Sequence, residues 1–197
     1  MLCILVEGPG DVKGIPNLIN RYLGIPLDQI HCLSMNGKAN IVRNKRNDGF
    51  EATIIRRKRD CQKFIVLMDD DVTFGPYHHR GIAYEHEDMP VRAERVSSAY
   101  SLMVEVCWAK IEGESWLIGG LNPGVCNTTD FDDTEIPLDT TSQPPDPKLW
   151  IKERLRDHSY HEAVYECLSK NVEIGESINR NKTLETFFDT VKRIWNA

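Results

Sequence analysis

The chain has 197 residues, of which 41% are hydrophobic and 27% charged, and its formal net charge is −6. That usage fits one globular domain with a sizeable core and excludes a fibrous, low-complexity or disordered chain. No run approaches the roughly 18 to 20 apolar residues that a membrane helix needs. The opening MLCILVEGPG also lacks the basic flank and small-residue cleavage site of a secretory signal.

Residues 2–6, LCILV, read as a buried strand that ends at the turn residues 8–10, GPG. Asp11 then stands where a helix N-cap belongs, before VKGIPNLINRYLG, and Pro16 is expected to lie near the start of that helix. Residues 29–34 form a weaker strand candidate, and 38–60 a helical stretch that Asn47-Asp48-Gly49 can divide. A strand follows over 63–68, running directly into Asp69-Asp70-Asp71, and then a loop over 72–90. Beyond it lie a helix at 91–101, a fourth strand at 102–111 and a short helix within 112–120. An irregular connection spans 121–147, and helices are expected over 148–170 and 183–195. We therefore expect an α/β core over 1–120, with a loop and helical extension over 121–197 packed on the same domain. Alternation of strands and helices predicts an open, mostly parallel sheet covered on both faces. The six cysteines show no C-x-x-C pair and several fall inside predicted elements, which suits reduced thiols in a cytoplasmic protein.

In open parallel sheets, functional residues collect beyond the carboxyl ends of the strands. Here strand one ends in Glu7 and strand three in the three aspartates, while Lys110, Glu112 and Glu114 follow strand four. Side chains alternate along a strand, so Asp69 and Asp71 face one way and Asp70 the other. If strands one and three are neighbours, Glu7 faces Asp69 and Asp71, and such carboxylates need protons or a cation to offset their repulsion. Oxygen donors without His or Cys suit Mg²⁺ or Mn²⁺. Asp11 is weighed first as a helix cap and second as a ligand, and Asp70 as a solvated acid. His78, His79 and His86 fall in a loop and His158 and His161 on a polar helical stretch, and the six histidines are not expected to be ligands. Charge is also uneven: residues 38–63 hold nine basic and three acidic side chains. That segment is either a solvated helix face or a surface for a polyanion, with Lys38, Arg43, Arg56, Arg57 and Arg59 as candidate phosphate contacts.

With Glu7-Gly8 after one strand and Asp69-x-Asp71 after another, the N-terminal half resembles the TOPRIM domain of topoisomerases, primases and OLD-family nucleases. VEGPGD resembles the Glu-Gly-x-x-Asp variant of primases and OLD-like nucleases, which implies a role for Asp11. Glu112-Gly113-Glu114-Ser115-Trp116-Leu117, Pro147-Lys148, Tyr160 and Thr183-Leu184-Glu185-Thr186-Phe187 are similar to a small stand-alone bacterial TOPRIM-like family, a domain of unknown function. The resemblance implies a Mg²⁺-dependent nuclease or other phosphodiester enzyme acting on DNA or RNA. It implies metal held by Glu7, Asp69 and Asp71, with Asp11, Asp70 or Glu114 for a second ion, and Lys110 as a charge-neutralising cation. It further implies an ABC- or AAA-type ATPase partner in anti-phage defence. Two departures stand out: Thr73 replaces the third acid of topoisomerases, and no separate domain supplies a nucleophilic tyrosine. The alternatives are a regulatory or scaffold subunit without turnover and a Mg²⁺-dependent nucleotide hydrolase or transferase.

Overall fold

Four stretches rich in Ile, Leu, Val and Phe form one all-parallel sheet in a computed structural model that describes residues 1–42, 49–70, 77–79, 82–84 and 88–197. They are β1 (Leu2–Val6), β2 (Ile30–Ser34), β3 (Lys63–Asp70) and, later in the chain, β6 (Met103–Lys110). Their order across the sheet is β2-β1-β3-β6, so the first and third strands are neighbours as expected. β1 is buried along its whole length and β3 from Phe64 to Met68, as two-faced burial between helical layers requires.

Alternation along the strands divides the core. Ile4, Ile65, Leu67 and Cys107 face a layer that contains α1 (Pro9–Leu23) and the C-terminal helices α7 (Glu162–Asn171), α8 (Ile174–Arg180) and α9 (Lys182–Asn196). Leu5, Phe64, Val66 and Met68 face α2 (Lys38–Val42), α3 (Gly49–Arg57) and α4 (Asp88–Tyr100). On that second side Arg92 of α4 is 7% exposed. Its guanidinium makes two 2.6 Å hydrogen bonds to Glu51 and one of 2.7 Å to the Val42 carbonyl, and lies over the Phe50 ring. A buried charge persists only with partners of this kind.

Several expectations are corrected. α1 starts at Pro9 with Gly8 as its N-cap, so Asp11 occupies the third helical position and accepts the Gly8 N–H at 3.1 Å. Pro16 is buried inside that helix rather than near its start, and packing of α1 against α7 and β2 outweighs the lost backbone bond. The stretch expected as a loop contains a two-stranded antiparallel pair, β4 (Tyr77–His79) and β5 (Ile82–Tyr84). The helix expected over 148–170 is two helices, α6 (Pro147–Glu153) and α7, and α8 was not anticipated. A short helix, α5 (Ser115–Ile118), follows β6. Cys3, Cys32, Cys61 and Cys107 are buried free thiols, but Cys126 and Cys167 form a disulfide with Cα atoms 5.8 Å apart. Reduced thiols throughout are thus not what the structure shows. Among the described residues no helix is long and apolar enough to cross a membrane.

Candidate functional site

β1 and β3 run side by side and carry their acids to one edge. The Glu7 carboxylate accepts the Asp69 N–H at 2.9 Å, and Asp69 in turn accepts the Gly113 N–H, from the turn after β6, at 3.0 Å. Asp69 shares the α1 side of the sheet with Ile65 and Leu67 by alternation, and α1 brings Asp11 to that side. The turn that supplies Gly113 includes Ile111 at φ 65°, a left-handed conformation that a β-branched residue adopts only where its surroundings enforce it. Beside Glu7, the Glu7 carbonyl accepts the Gly37 N–H at 2.8 Å. Gly37 has φ 104°, a conformation open to glycine, and this turn starts α2 so that Lys38 faces the acids.

The far wall comes from the C-terminal third. Glu114 is 8% exposed, and one of its oxygens accepts from the Tyr160 hydroxyl at 3.0 Å and lies 3.4 Å from the Lys148 ammonium. Together these residues enclose a cavity of about 510 Å³ lined by Glu7, Asp11, Asp69, Glu114, Lys148, Tyr160, His161 and Tyr165, among others.

Burial dominates the electrostatics. It pushes the Asp11 carboxyl up to about 7, with the Glu114 and Glu7 charges adding to the effect. Asp69 is raised well above the carboxylate range by burial and then by Glu7, Asp11 and Glu114. Glu7 and Glu112 are raised by burial as well. Burial lowers Lys38 despite the nearby Glu7, Asp69 and Asp70, whereas the carboxylates of Glu114 and Glu112 outweigh burial at Lys148 and hold its ammonium above its usual range. Among the described residues the edge carries more acid than Lys38 and Lys148 neutralise, and this adds to burial in favouring the protonated carboxyls.

Glu7, Asp11, Asp69 and Glu114 are brought to one cavity. Asp70 lies one position beyond Asp69, opposite Lys110 in the β3–β6 register. Lys110 donates its N–H to Thr183 and accepts from Ser115 through its carbonyl, and Lys148 rather than Lys110 lines the cavity. Asp71 and Arg43 lie outside the described residues. Arg56 and Arg57 close α3, and with Arg59 they precede the start of β3. They lie toward the opposite end of the sheet from Asp69, roughly 20 Å away at about 3.3 Å per strand residue. Sequence reasoning placed Glu112 at the edge without a role, and missed Lys148, Tyr160 and Tyr165 as the far wall. Lys148 and Tyr160 had a signal in the C-terminal pattern, and Tyr165 had none.

Among the described residues, no three His, Cys, Asp or Glu side chains form a ready-made cage for a metal ion. The donor set nonetheless fits a hard divalent cation: it consists of oxygens alone, and the carboxyls of Glu7, Asp11 and Asp69 are raised by burial and by neighbouring acids, a cost that a cation would relieve.

The fold and edge define an α/β protein with an all-parallel sheet and an acidic cleft beyond the carboxyl ends of β1 and β3. No family model matches the chain, and no curated protein does. Among solved structures, the chain is similar to the C-terminal region of the OLD protein of Xanthomonas campestris pv. campestris, with 15% identity and a TM-score of 0.49, over 98% of this chain and 94% of that one. It is also similar to the C-terminal region of the Burkholderia pseudomallei OLD protein, with 18% identity and a TM-score of 0.47, over 96% of this chain and 98% of that one.

Proposed function

We propose that the protein cleaves phosphodiester bonds in DNA or RNA with Mg²⁺ or Mn²⁺ at the acidic edge. The observation that carries this reading is the convergence of Glu7, Asp11, Asp69 and Glu114 on one cavity, with too little positive charge to match them. Glu7 and Asp69, joined by Asp71, would hold one cation, and Asp11 and Glu114 would serve a second. A bound cation supplies charge for a phosphate oxygen and acidifies a water molecule. The chain's own residues do the rest. Backbone N–H groups of Asp69 and Gly113 fix the Glu7 and Asp69 carboxylates, Tyr160 orients Glu114, and Lys148 presents a cation to a phosphate entering from the C-terminal side.

A second reading, a hydrolase or transferase of free nucleotides, is favoured by the distance of Arg56, Arg57 and Arg59 from the cleft. The resemblance of the acidic motifs supports an ATPase partner and a defence role, and a regulatory subunit is the non-catalytic form of the same reading. Incubation with single- and double-stranded DNA and RNA, and with nucleoside triphosphates, separates these readings. Mg²⁺-dependent strand cleavage that Asp69→Asn abolishes supports the nuclease. Turnover of nucleotides alone supports the second reading. Metal binding without turnover, even with an ATPase present, supports the regulatory one.

A further inference from the structure

The ring of Tyr165 is 1% exposed and lodges against α1, where a Cβ at Gly14 would fall 2.0 Å from the ring. α1 thus keeps a residue without a side chain in its interior to admit the ring. The hydroxyl ends beside Gly113, 3.2 Å from where a Cβ there would stand, and Asp11 Oδ1 lies 3.5 Å from that same point. The hydroxyl is buried and has no hydrogen-bond partner among the described residues, although Asp11 uses its other oxygen, Oδ2, to accept the Gly8 N–H. A buried hydroxyl without an acceptor is a net cost to the fold, and phenylalanine fills the same notch without it. Its neighbour Tyr160 shows the alternative: that hydroxyl has found its carboxylate, Glu114.

We infer that Tyr165 is a positioning residue for Asp11, its hydroxyl donating to Oδ1 when the cleft is loaded and thereby fixing which carboxylate oxygen turns toward Glu7 and Asp69. The inference rests on the reading of Asp11 as part of a cation site. The hydroxyl and Asp11 Oδ1 flank the same point at Gly113, so a turn of the Asp11 carboxyl about its anchored Oδ2 is the motion that would join them. Asp11 belongs to α1 and Tyr165 to α7, two helices that pack on each other and keep the groups side by side. The role belongs to the hydroxyl alone and not to the ring.

Mn²⁺ affinity of the full chain, read by electron paramagnetic resonance, tests this in wild type, Tyr165→Phe, Asp11→Asn and the double variant. Loss of an outer partner of a metal ligand weakens affinity by roughly 10-fold or more, which is the expected loss in Tyr165→Phe. Its melting temperature should equal or exceed that of wild type, since an unbonded hydroxyl is removed. In the Asp11→Asn background the same change should have no further effect on affinity. Equal Mn²⁺ affinity in wild type and Tyr165→Phe overturns the inference while leaving the cation site standing. So does an undiminished effect in the Asp11→Asn background. A wild-type chain that binds no Mn²⁺ overturns the site and the inference together.

Discussion

Replacing Asp11 with asparagine should stabilise the protein at pH 8 when no divalent cation is present. In the folded chain the Asp11 carboxyl is pushed from 3.8 to about 7, mainly by burial and then by Glu114. A carboxyl raised in the folded state contributes stability that is fully present below its unfolded value. That stability is lost as pH rises through the folded value. Stability should therefore fall between about pH 4 and pH 7 and stay low above it. A shift of roughly 3 units at 1.36 kcal/mol each sets a ceiling of about 4 kcal/mol. The group is only partly enclosed, and solvent should reduce the realised effect to ~1–3 kcal/mol. Asparagine keeps an acceptor for the Gly8 N–H and carries no charge. At about 2 to 4 °C per kcal/mol, the variant should melt several degrees above wild type at pH 8 in EDTA, and level with it near pH 4. Millimolar Mg²⁺ should raise the wild-type midpoint more than that of the variant, which keeps Glu7 and Asp69 but loses one charged ligand, since a ligand that binds only the folded state stabilises it by mass action. Calorimetric scans across this pH range make the comparison. A variant that melts at or below wild type at pH 8 in EDTA would falsify the account of the cleft as surplus charge.

Three other outcomes follow from the packing. Glu51→Gln takes the Glu51 carboxylate from the buried Arg92 guanidinium, and denaturant unfolding should show a loss of up to about 3–5 kcal/mol; a loss below ~1 kcal/mol means that other partners or water carry the charge. Gly14→Ala, which in an ordinary helix interior stabilises by roughly 0.5–1 kcal/mol, should instead destabilise, because its Cβ overlaps the Tyr165 ring; combining it with Tyr165→Ala should restore the usual gain on the remaining stability. Cleaving Cys126–Cys167 with a dithiol, or replacing both with serine, opens a link across 41 positions; the loop-entropy relation puts the loss at about 4 kcal/mol, and unchanged melting after verified reduction refutes it.

The sheet was legible because its strands bear the mark of burial on both faces, unbroken runs such as Phe64–Met68. The adjacency of β1 and β3 followed from charge: Glu7 and Asp69 belong together only if their strands do. What stayed hidden is non-local. Nothing near Tyr165 in the sequence announces that its ring needs Gly14 of α1, more than a hundred positions away. Pro16 misled because local rules forbid what the α1–α7 packing tolerates. Asp11 was read as the N-cap, but a helix that starts at Pro9 gives that place to Gly8 and makes Asp11 a third-position acceptor of the Gly8 N–H. The basic stretch was visible as composition, but composition does not say at which end of a sheet a helix finishes.

The closure of the cleft by the C-terminal third has a consequence for how the protein is made. Asn17 of α1 hydrogen-bonds Ser169 of α7 at 3.2 Å across a separation of 152 positions, and Arg21 bonds the Ser169 and Val172 carbonyls from the same helix. At translation rates of about 5–20 residues per second, α1 waits roughly 8 to 30 s on the ribosome before its partner exists. During that interval the apolar side of the nascent sheet and the notch at Gly14 stand open, while the acids at the ends of β1 and β3 are already synthesised. The cleft is therefore assembled last, and a prematurely released chain would carry the acidic motifs without the wall that encloses them.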